Sequence, residues 1–428
     1  MAEPAHLPRR HELEVTGEIL AHQRAWLSGV RERVVSGEPF AVLSADAPHE
    51  IYRALDIPYV VLQWWTSLLA SRQRAAAALD ALRAAGFPDD RDQYNALAFG
   101  ELLAADPEPP WGGLPVPSIL QAPVTGDGTR KLFEAWAAAA GAVFLPVEHA
   151  IDVRLDLPRR WWEELPEHWD RHLPVERIDL MTDQLHALVK RLEAMTGRTF
   201  SMDRFAEVMA LANEHATWNR RSRDLVADAV PAPVSAAETM TATMIPQWHR
   251  GSPWGRDAAR SLYTELEARR DAGVAVCPDE RLRLMWLGRG LWSSLGLYRE
   301  FEEDHGAVFV WSMYLALAAD AYYRRLEGAD PMRALASRFV PMGEEIRMPS
   351  WSAPWHLNEA RRHRIDGVVS FGEDDYFSAR LLREAGIPVL SIEATNVDGR
   401  TWDPGSFRAM LAEFLEHEVR PAAAERGP

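Results

Sequence analysis

The chain has 428 residues, of which 47% are hydrophobic and 26% charged, a composition that suits a soluble protein of two or three domains. Its formal net charge of −16 is spread without a basic stripe, which argues against nucleic acid as a partner. No apolar stretch approaches the roughly 20 residues of a membrane span, and the first residues lack the apolar stretch of a signal peptide. We therefore expect a cytoplasmic protein without a membrane partner.

The first third of the chain predicts a helical arm followed by a parallel α/β domain. Residues 11–35 have helical spacing with few breakers, and we assign residues 1–35 to an N-terminal helical arm. Residues 39–62 then alternate strand, loop, helix and strand, as a parallel sheet requires. The same rhythm returns over residues 116–148, so the first α/β domain is predicted to span residues 36–155.

The remainder predicts a helical bridge and a second α/β domain. Residues 156–270 are mostly of helical pattern, with a break rich in Pro and Ala at VADAVPAPVSAAE that is typical of a turn between helices. From residue 271 to 428 the α/β rhythm resumes, including a helix predicted over Ser293 to Asp304. The predicted fold is α/β, with two doubly wound parallel-sheet domains of Rossmann or flavodoxin type.

Cys277 is the only cysteine in the chain. A single thiol excludes an internal disulfide and every metal site built from several sulfurs. Within GVAVCPDE we interpret Cys277 as a small buried residue that ends a strand.

Ligands of parallel α/β domains bind beyond the carboxyl ends of the strands, so the loops after strands are searched first. Ser44 follows the first strand, where its hydroxyl can bond a substrate hydroxyl or carbonyl. Glu50 opens the next helix, and it either caps that helix or points at a substrate. In GDGTRK, Gly126 precedes a helix N-terminus beside Arg130 and Lys131, a pattern that predicts a weak anion site.

Another loop after a predicted strand, SFGEDDY, contains three acidic residues, Glu373 among them. Such a cluster can ligate a hard cation, but a solvated loop that caps the following helix is the favoured interpretation. The sequence has no GxGxxG or P-loop, no HExxH, and no nucleophile elbow with an identifiable base.

Short motifs occur along the chain in a specific order. They are Pro48-x-Glu50, GFPD at 86–89 with Tyr94 and Gly100, DGTRKLFE at 127–134, GAVF at 306–309, IDGVV at 365–369, GIP at 386–388 before Ile392-Glu393, and Asp398-x-Arg400. This order resembles the 2-hydroxyacyl-CoA dehydratase family, which includes the benzoyl-CoA reductase core subunits, from about residue 35 to 420.

The resemblance implies a subunit of two α/β domains that pairs with a similar, paralogous subunit. In that family three cysteines hold a [4Fe-4S] cluster between the domains, and an ATP-dependent activator supplies one electron. The cluster passes the electron to a CoA thioester, whose ketyl radical eliminates water or whose ring is reduced.

The chain departs from this pattern at all three ligand positions. Asp92 stands where the first cysteine of the family belongs and Gly126 where the second belongs. The third belongs in the loop after Val369, which here contains Glu373 and no cysteine. The chain alone is therefore expected to bind no cluster, and a [4Fe-4S] cluster is expected only in a partner subunit.

Three functions fit these observations. The favoured one is a cluster-free subunit of a dehydratase-like or reductase-like complex that forms part of the acyl-CoA pocket. The second is a redox-free acyl-CoA enzyme, with Asp92 and Glu373 as acid/base groups or as oxygen ligands of a divalent metal. The third is a non-catalytic binding or scaffold subunit, which a pocket filled by Trp-rich loops would favour.

The candidate site residues are Ser44, Glu50 and Asp92 for catalysis, and Gly126, Arg130, Lys131 and Trp311 for substrate binding.

Overall fold

The computed structural model describes residues 12–87, 92–124, 126–148, 156–341, 349–372 and 376–426. Within these ranges the chain forms two four-stranded parallel sheets, with strand orders β2-β1-β3-β4 and β6-β5-β7-β8. The predicted α/β fold with two parallel sheets is confirmed. None of the helices in these ranges combines the length and apolar composition that crossing a bilayer requires.

The first sheet is built from short apolar strands, three of which are almost fully buried, as in parallel sheets covered by helices. Its strands are β1 (Ala41–Leu43), β2 (Tyr59–Val61), β3 (Ile119–Val124) and β4 (Val143–Glu148). β1 lies at the centre, where Ala41 pairs with Tyr59 of β2 and Ile119 of β3. The helices of this half are α1 (Glu14–Val35), α2 (His49–Ala54), α3 (Leu62–Ser71), α4 (Ala75–Ala84), α5 (Gln93–Ala104) and α6 (Asp127–Ala140).

In the described part of the chain, five helices lie between the two sheets in sequence. They are α7 (Trp161–His172), α8 (Val175–Thr196), α9 (Met202–Asp228), α10 (Ala236–Trp248) and α11 (Pro253–Asp271). The predicted turn between helices is the link from α9 to α10, where the Glu238 carboxylate accepts a hydrogen bond from the Ser235 backbone. α10 packs against α1, α11 and α13 (Met313–Asp320), which places it between the two halves of the molecule.

The second sheet repeats the arrangement of the first. Its strands are β5 (Leu282–Leu287), β6 (Ala307–Ser312), β7 (Gly367–Phe371) and β8 (Val389–Ile392), with β5 and β7 at the centre. Besides α13, its helices are α12 (Glu302–His305), α14 (Pro331–Phe339), α15 (Pro349–Arg362), α16 (Tyr376–Glu384), α17 (Pro404–Phe414) and α18 (Arg420–Arg426). A π-helical turn at Leu415–Val419 joins the last two.

Two local predictions in this half were wrong. The helix predicted over Ser293 to Asp304 is a 3₁₀ segment, Trp292–Arg299, followed by the single turn of α12. Ser294 breaks the helical path with φ −152° and ψ 58°. Cys277 is buried, as expected, but it lies in the loop before β5, and its thiol donates to the carbonyl of Glu302 over 3.1 Å. Pro278 follows it and offers no N–H to a strand ladder, so β5 begins only at Leu282.

Candidate functional site

A cavity of about 540 Å³ lies where the carboxyl ends of both sheets face α10. Its size is within the roughly 300–1,000 Å³ that small-molecule sites occupy. The carboxyl ends of parallel strands share one edge, so the loops after strands of each sheet converge on this space. Among the residues that line it are Ser44 after β1, Arg289 after β5, Tyr314 after β6, Gly372 after β7 and Thr395 after β8.

One wall of the cavity is a chain of hydrogen bonds in which each side chain orients the next. The Asp92 carboxylate accepts from Asn95 Nδ2 over 2.8 and 3.0 Å, and Asn95 Oδ1 accepts from Gln63 Nε2 over 2.9 Å. Gln63 Nε2 also donates to Ser44 Oγ over 3.4 Å. The Gln63 amide is fixed because its Oε1 accepts from the backbone N–H of Ala45 over 2.7 Å. The Ser44 hydroxyl therefore accepts from Gln63 and, among the described residues, donates to no other group.

Asp92 occupies an unusual backbone conformation for a residue with a side chain. Its φ of 45° and ψ of 45° are left-handed, which costs a non-glycine residue about 1–2 kcal/mol. It precedes α5 without capping that helix through its side chain, so the carboxylate is free to bind Asn95 beside the cavity. Such strain is concentrated at functional sites in proteins.

Another part of the lining is aromatic, and one of its hydrogen bonds joins the two halves of the molecule. Trp292 Nε1 donates to the Tyr94 hydroxyl over 3.0 Å, and the backbone N–H of Gly290 donates to the Tyr314 hydroxyl over 2.8 Å. Burial raises the pKa of both tyrosines, so both stay protonated at neutral pH. The Arg289 guanidinium stacks on the Tyr94 ring, 4.7 Å from its centroid.

Glu50 lies behind the cavity in a buried ion cluster rather than on its surface. Its Oε1 accepts from Arg250 Nε and Arg338 Nη1, and its Oε2 accepts from Arg338 Nη2, each over 2.8 Å. Burial raises the pKa of Glu50, but the two arginines lower it by more, and the net pKa lies well below the usual range.

The cluster reaches the cavity through one aromatic ring. Tyr322 lines the cavity, and the guanidinium carbons of Arg250 and Arg338 lie 4.9 and 5.2 Å from its ring centroid. Glu50 therefore does not cap α2 through its side chain, and it does not line the cavity. Any effect of Glu50 on a ligand would be indirect.

The predicted anion site at α6 does not form part of the cavity wall. Gly126 precedes the helix, Arg130 pairs with Glu134 over 3.1 Å on an exposed face, and Lys131 is exposed. Thr129 is the residue of this segment that reaches the cavity. Successive helical residues point about 100° apart, so the side chain that faces inward is adjacent to the cations and is not one of them.

Trp311 is buried in β6, away from the cavity lining. Its Nε1 donates to Glu359 Oε2 over 2.9 Å, a contact typical of a core tryptophan. Glu373, in the loop after β7, lies outside the described residues.

Several cavity residues, among them Gln63, Arg289 and Tyr322, were not identified from the sequence. Gln63 is a polar residue at the start of a mostly apolar helix directly after β2, and this position is a usable signal. Arg289 stands between two glycines in the loop after the buried strand β5, at the carboxyl end of a parallel strand like the predicted site residue Ser44. Tyr322 had no local signal.

The donor groups do not fit a [4Fe-4S] cluster. At the positions where the resemblance places two of the cysteines, the chain offers a carboxylate at Asp92 and no side chain at Gly126. The Cys277 thiol lies outside the cavity lining, and burial raises its pKa, which disfavours the thiolate that binds iron. Within the described ranges, no three His, Cys, Asp or Glu side chains are grouped so that they could hold a metal ion.

Comparison with known proteins adds a family and several relatives. The family described as 2-hydroxyglutaryl-CoA dehydratase, D-component, matches residues 44–417. The (R)-phenyllactyl-CoA dehydratase alpha subunit of Clostridium sporogenes is 22% identical over 402 residues, which cover 91% of this chain and 92% of that protein. The lactoyl-CoA dehydratase subunit alpha of Anaerotignum propionicum is 21% identical over 423 residues, which cover 92% and 94%.

A further relative aligns over a shorter stretch. The (R)-2-hydroxyisocaproyl-CoA dehydratase alpha subunit of Clostridioides difficile is 22% identical over 258 residues, 56% of this chain and 60% of that protein. The match to the family spans the residues whose order carried the resemblance.

Proposed function

Because the chain belongs to the 2-hydroxyglutaryl-CoA dehydratase D-component family, we propose that it is a subunit of a cytoplasmic 2-hydroxyacyl-CoA dehydratase-like or benzoyl-CoA reductase-like complex. In this complex it forms part of the acyl-CoA pocket and ligates no iron–sulfur cluster. Its relatives are named as alpha subunits, which implies partner subunits. By resemblance the partners are a paralogous subunit that carries the [4Fe-4S] cluster and an ATP-dependent activator.

The observation that carries this proposal is the cavity with its polar wall. A 2-hydroxyacyl thioester presents a carbonyl acceptor and a hydroxyl, and the Ser44 hydroxyl, which accepts from Gln63, can donate to such an acceptor. In this proposal Asp92 is a positioning residue, because it fixes Asn95, which in turn fixes Gln63. Trp64, Trp111 and Trp292 supply apolar surface for the acyl group.

A redox-free acyl-CoA enzyme is the second candidate, and the strained conformation of Asp92 favours it. A carboxylate held beside the cavity at a backbone cost suits an acid/base group. The scaffold alternative lacks comparable support, since the tryptophans line the cavity and leave it open.

The proposal is tested by purification of the full chain, alone and with its companions from the native host. Iron and acid-labile sulfide are expected in the complex and not in the chain alone. Lactoyl-CoA and phenyllactyl-CoA binding is measured by calorimetry for the wild type, Ser44→Ala, and Ser36→Ala, a control at an exposed serine at the end of α1. One lost hydrogen bond predicts roughly threefold to tenfold weaker binding for Ser44→Ala and no change for the control.

Two outcomes would oppose the proposal. If neither thioester binds to the chain or to the complex, the cavity is not an acyl-CoA pocket. If the chain alone converts a thioester and Asp92→Asn abolishes that conversion, the chain is a redox-free acyl-CoA enzyme and not a cluster-free subunit.

A further inference from the structure

The charges that face the cavity are unequally distributed. Among the described residues that line it, Asp46 and Asp92 are the acidic ones and Arg289 is the only cation. The Arg289 side chain is exposed, and in the described ranges it forms neither an ion pair nor a hydrogen bond. Among the described residues, no carboxylate pairs with its positive charge.

Arg289 is nevertheless held in one place by the backbone around it. Its carbonyl accepts a hydrogen bond from Trp286 Nε1 over 2.9 Å, and the N–H of Gly290 is bound to Tyr314. Gly288 has φ 109°, and a Cβ at this position would lie 2.6 Å from the carbonyl oxygen of Phe371. Only glycine permits this close approach of the loop to the end of β7.

The side chain is oriented as well as anchored. When a guanidinium stacks on an aromatic ring, its N–H groups lie in the guanidinium plane and stay accessible at its edge. There they can bind two oxygens of one anion. Stacking on Tyr94 thus leaves the hydrogen-bonding edge of Arg289 available, and no carboxylate in the described ranges competes for it. A guanidinium held in this way suits the binding of an oxyanion.

We infer that Arg289 binds an anionic group of the acyl-CoA ligand in the cavity. The inference rests on the proposed acyl-CoA function and goes beyond it, because it assigns a recognition residue and a chemical class. The anion has two possible sources with the same chemistry, a carboxylate on the acyl chain or a phosphate of the CoA moiety.

The sources are separated with four ligands in calorimetry on the full chain. They are glutaryl-CoA and butyryl-CoA, which differ in the acyl carboxylate, and the two corresponding pantetheine thioesters, which lack phosphate. The proteins are the wild type, Arg289→Gln, Arg289→Lys, and Arg281→Gln as a matched control. Arg281 is an exposed arginine at the opposite end of β5, outside the cavity lining.

A charge-assisted pair predicts that Arg289→Gln weakens binding by roughly tenfold to a hundredfold, with Arg289→Lys in between because it keeps the charge and loses the fork. The control should bind like the wild type. A loss confined to the two glutaryl ligands assigns the acyl carboxylate, and a loss confined to the two CoA ligands assigns a phosphate.

The inference is overturned if the affinity of Arg289→Gln for every ligand is within twofold of that of the wild type. The proposed function is unaffected by that result. If the wild type binds none of the four, the proposed function fails and the inference fails with it. Circular dichroism of each variant establishes that it is folded. We expect each variant to fold, because the replaced side chain is exposed.

Discussion

Replacement of Glu50 by alanine is expected to be among the most damaging single changes in the chain. The carboxylate is fully buried, and the side chains of Arg250 and Arg338 are each 1% exposed. They come from α2, the segment after α10, and α14, so one carboxylate joins three distant parts of the chain. Glu50→Ala leaves two buried cations close together without an anion.

The magnitude follows from the loss of the counter-charge. Removal of one partner of a buried ion pair costs about 3–5 kcal/mol, because the remaining charge stays desolvated. Here three hydrogen bonds are lost at once, while the contacts of both arginines with Tyr322 remain. We expect the free energy of unfolding to fall by at least about 3–5 kcal/mol, a large part of the roughly 5–15 kcal/mol of a typical domain.

The dependence on pH follows from the lowered pKa of Glu50. A depressed carboxyl pKa contributes stability that is present above the unfolded pKa and is lost only as pH falls through the folded pKa. The difference between wild type and Glu50→Ala should therefore be constant from about pH 6 to 9. Urea unfolding followed by circular dichroism measures it.

The control is Glu134→Ala, which removes an exposed pair with Arg130 and should cost only about 0.3–0.5 kcal/mol. A loss below about 1 kcal/mol for Glu50→Ala would refute the reasoning from uncompensated charge. Replacement of all three residues, Glu50→Leu, Arg250→Met and Arg338→Met, should be less destabilising than Glu50→Ala alone, because no buried charge remains.

Three further changes test other features by equilibrium unfolding. Asp92→Gly should be about 1 kcal/mol more stable than Asp92→Ala, because both lose the same side chain and only glycine suits a φ of 45°. Gly100→Ala should cost about 1–3 kcal/mol, since its Cβ would lie 2.4 Å from the carbonyl oxygen of Ala78, whereas Gly128→Ala meets no atom within 4 Å and should not destabilise. Burial raises the pKa of Glu302 to about 8, so the folded state holds a proton that the unfolded state has released, and stability should fall from about pH 5 to 8 in the wild type more than in Glu302→Gln.

Each of these has a clear contrary result. Equal stability of the two Asp92 variants would mean that its conformation carries no strain. A neutral Gly100→Ala would mean that α4 and α5 separate without cost. Parallel pH profiles of the wild type and Glu302→Gln would place the pKa of Glu302 in its ordinary range.

The fold was largely predictable because its sheets are made of short apolar runs bounded by Gly and Pro. β1 to β4 lie within the segments that the alternation of strand and helix assigned to them. The 3₁₀ segment at Trp292–Arg299 was not predictable, because a helical spacing of apolar residues does not reveal that Ser294 leaves the helical path.

The candidate site was predictable only where position in a loop decides it. Ser44 and Asp92 line the cavity, as residues after strands or before helices of a parallel sheet tend to do. The partners of Glu50 lie 200 and 288 residues away, and no local pattern connects them. The same holds for Arg289 and Tyr94, which meet only after both halves have folded.

The cavity is assembled from residues as far apart as Leu20 and Val397. A ligand that fits it can bind only the completed fold, so binding free energy adds directly to the free energy of unfolding of the whole chain. A ligand at one hundred times its dissociation constant would contribute about 2.7 kcal/mol. Thermal melting in the presence of candidate thioesters can therefore identify the acyl group without an activity assay, the cluster-bearing partner or the activator.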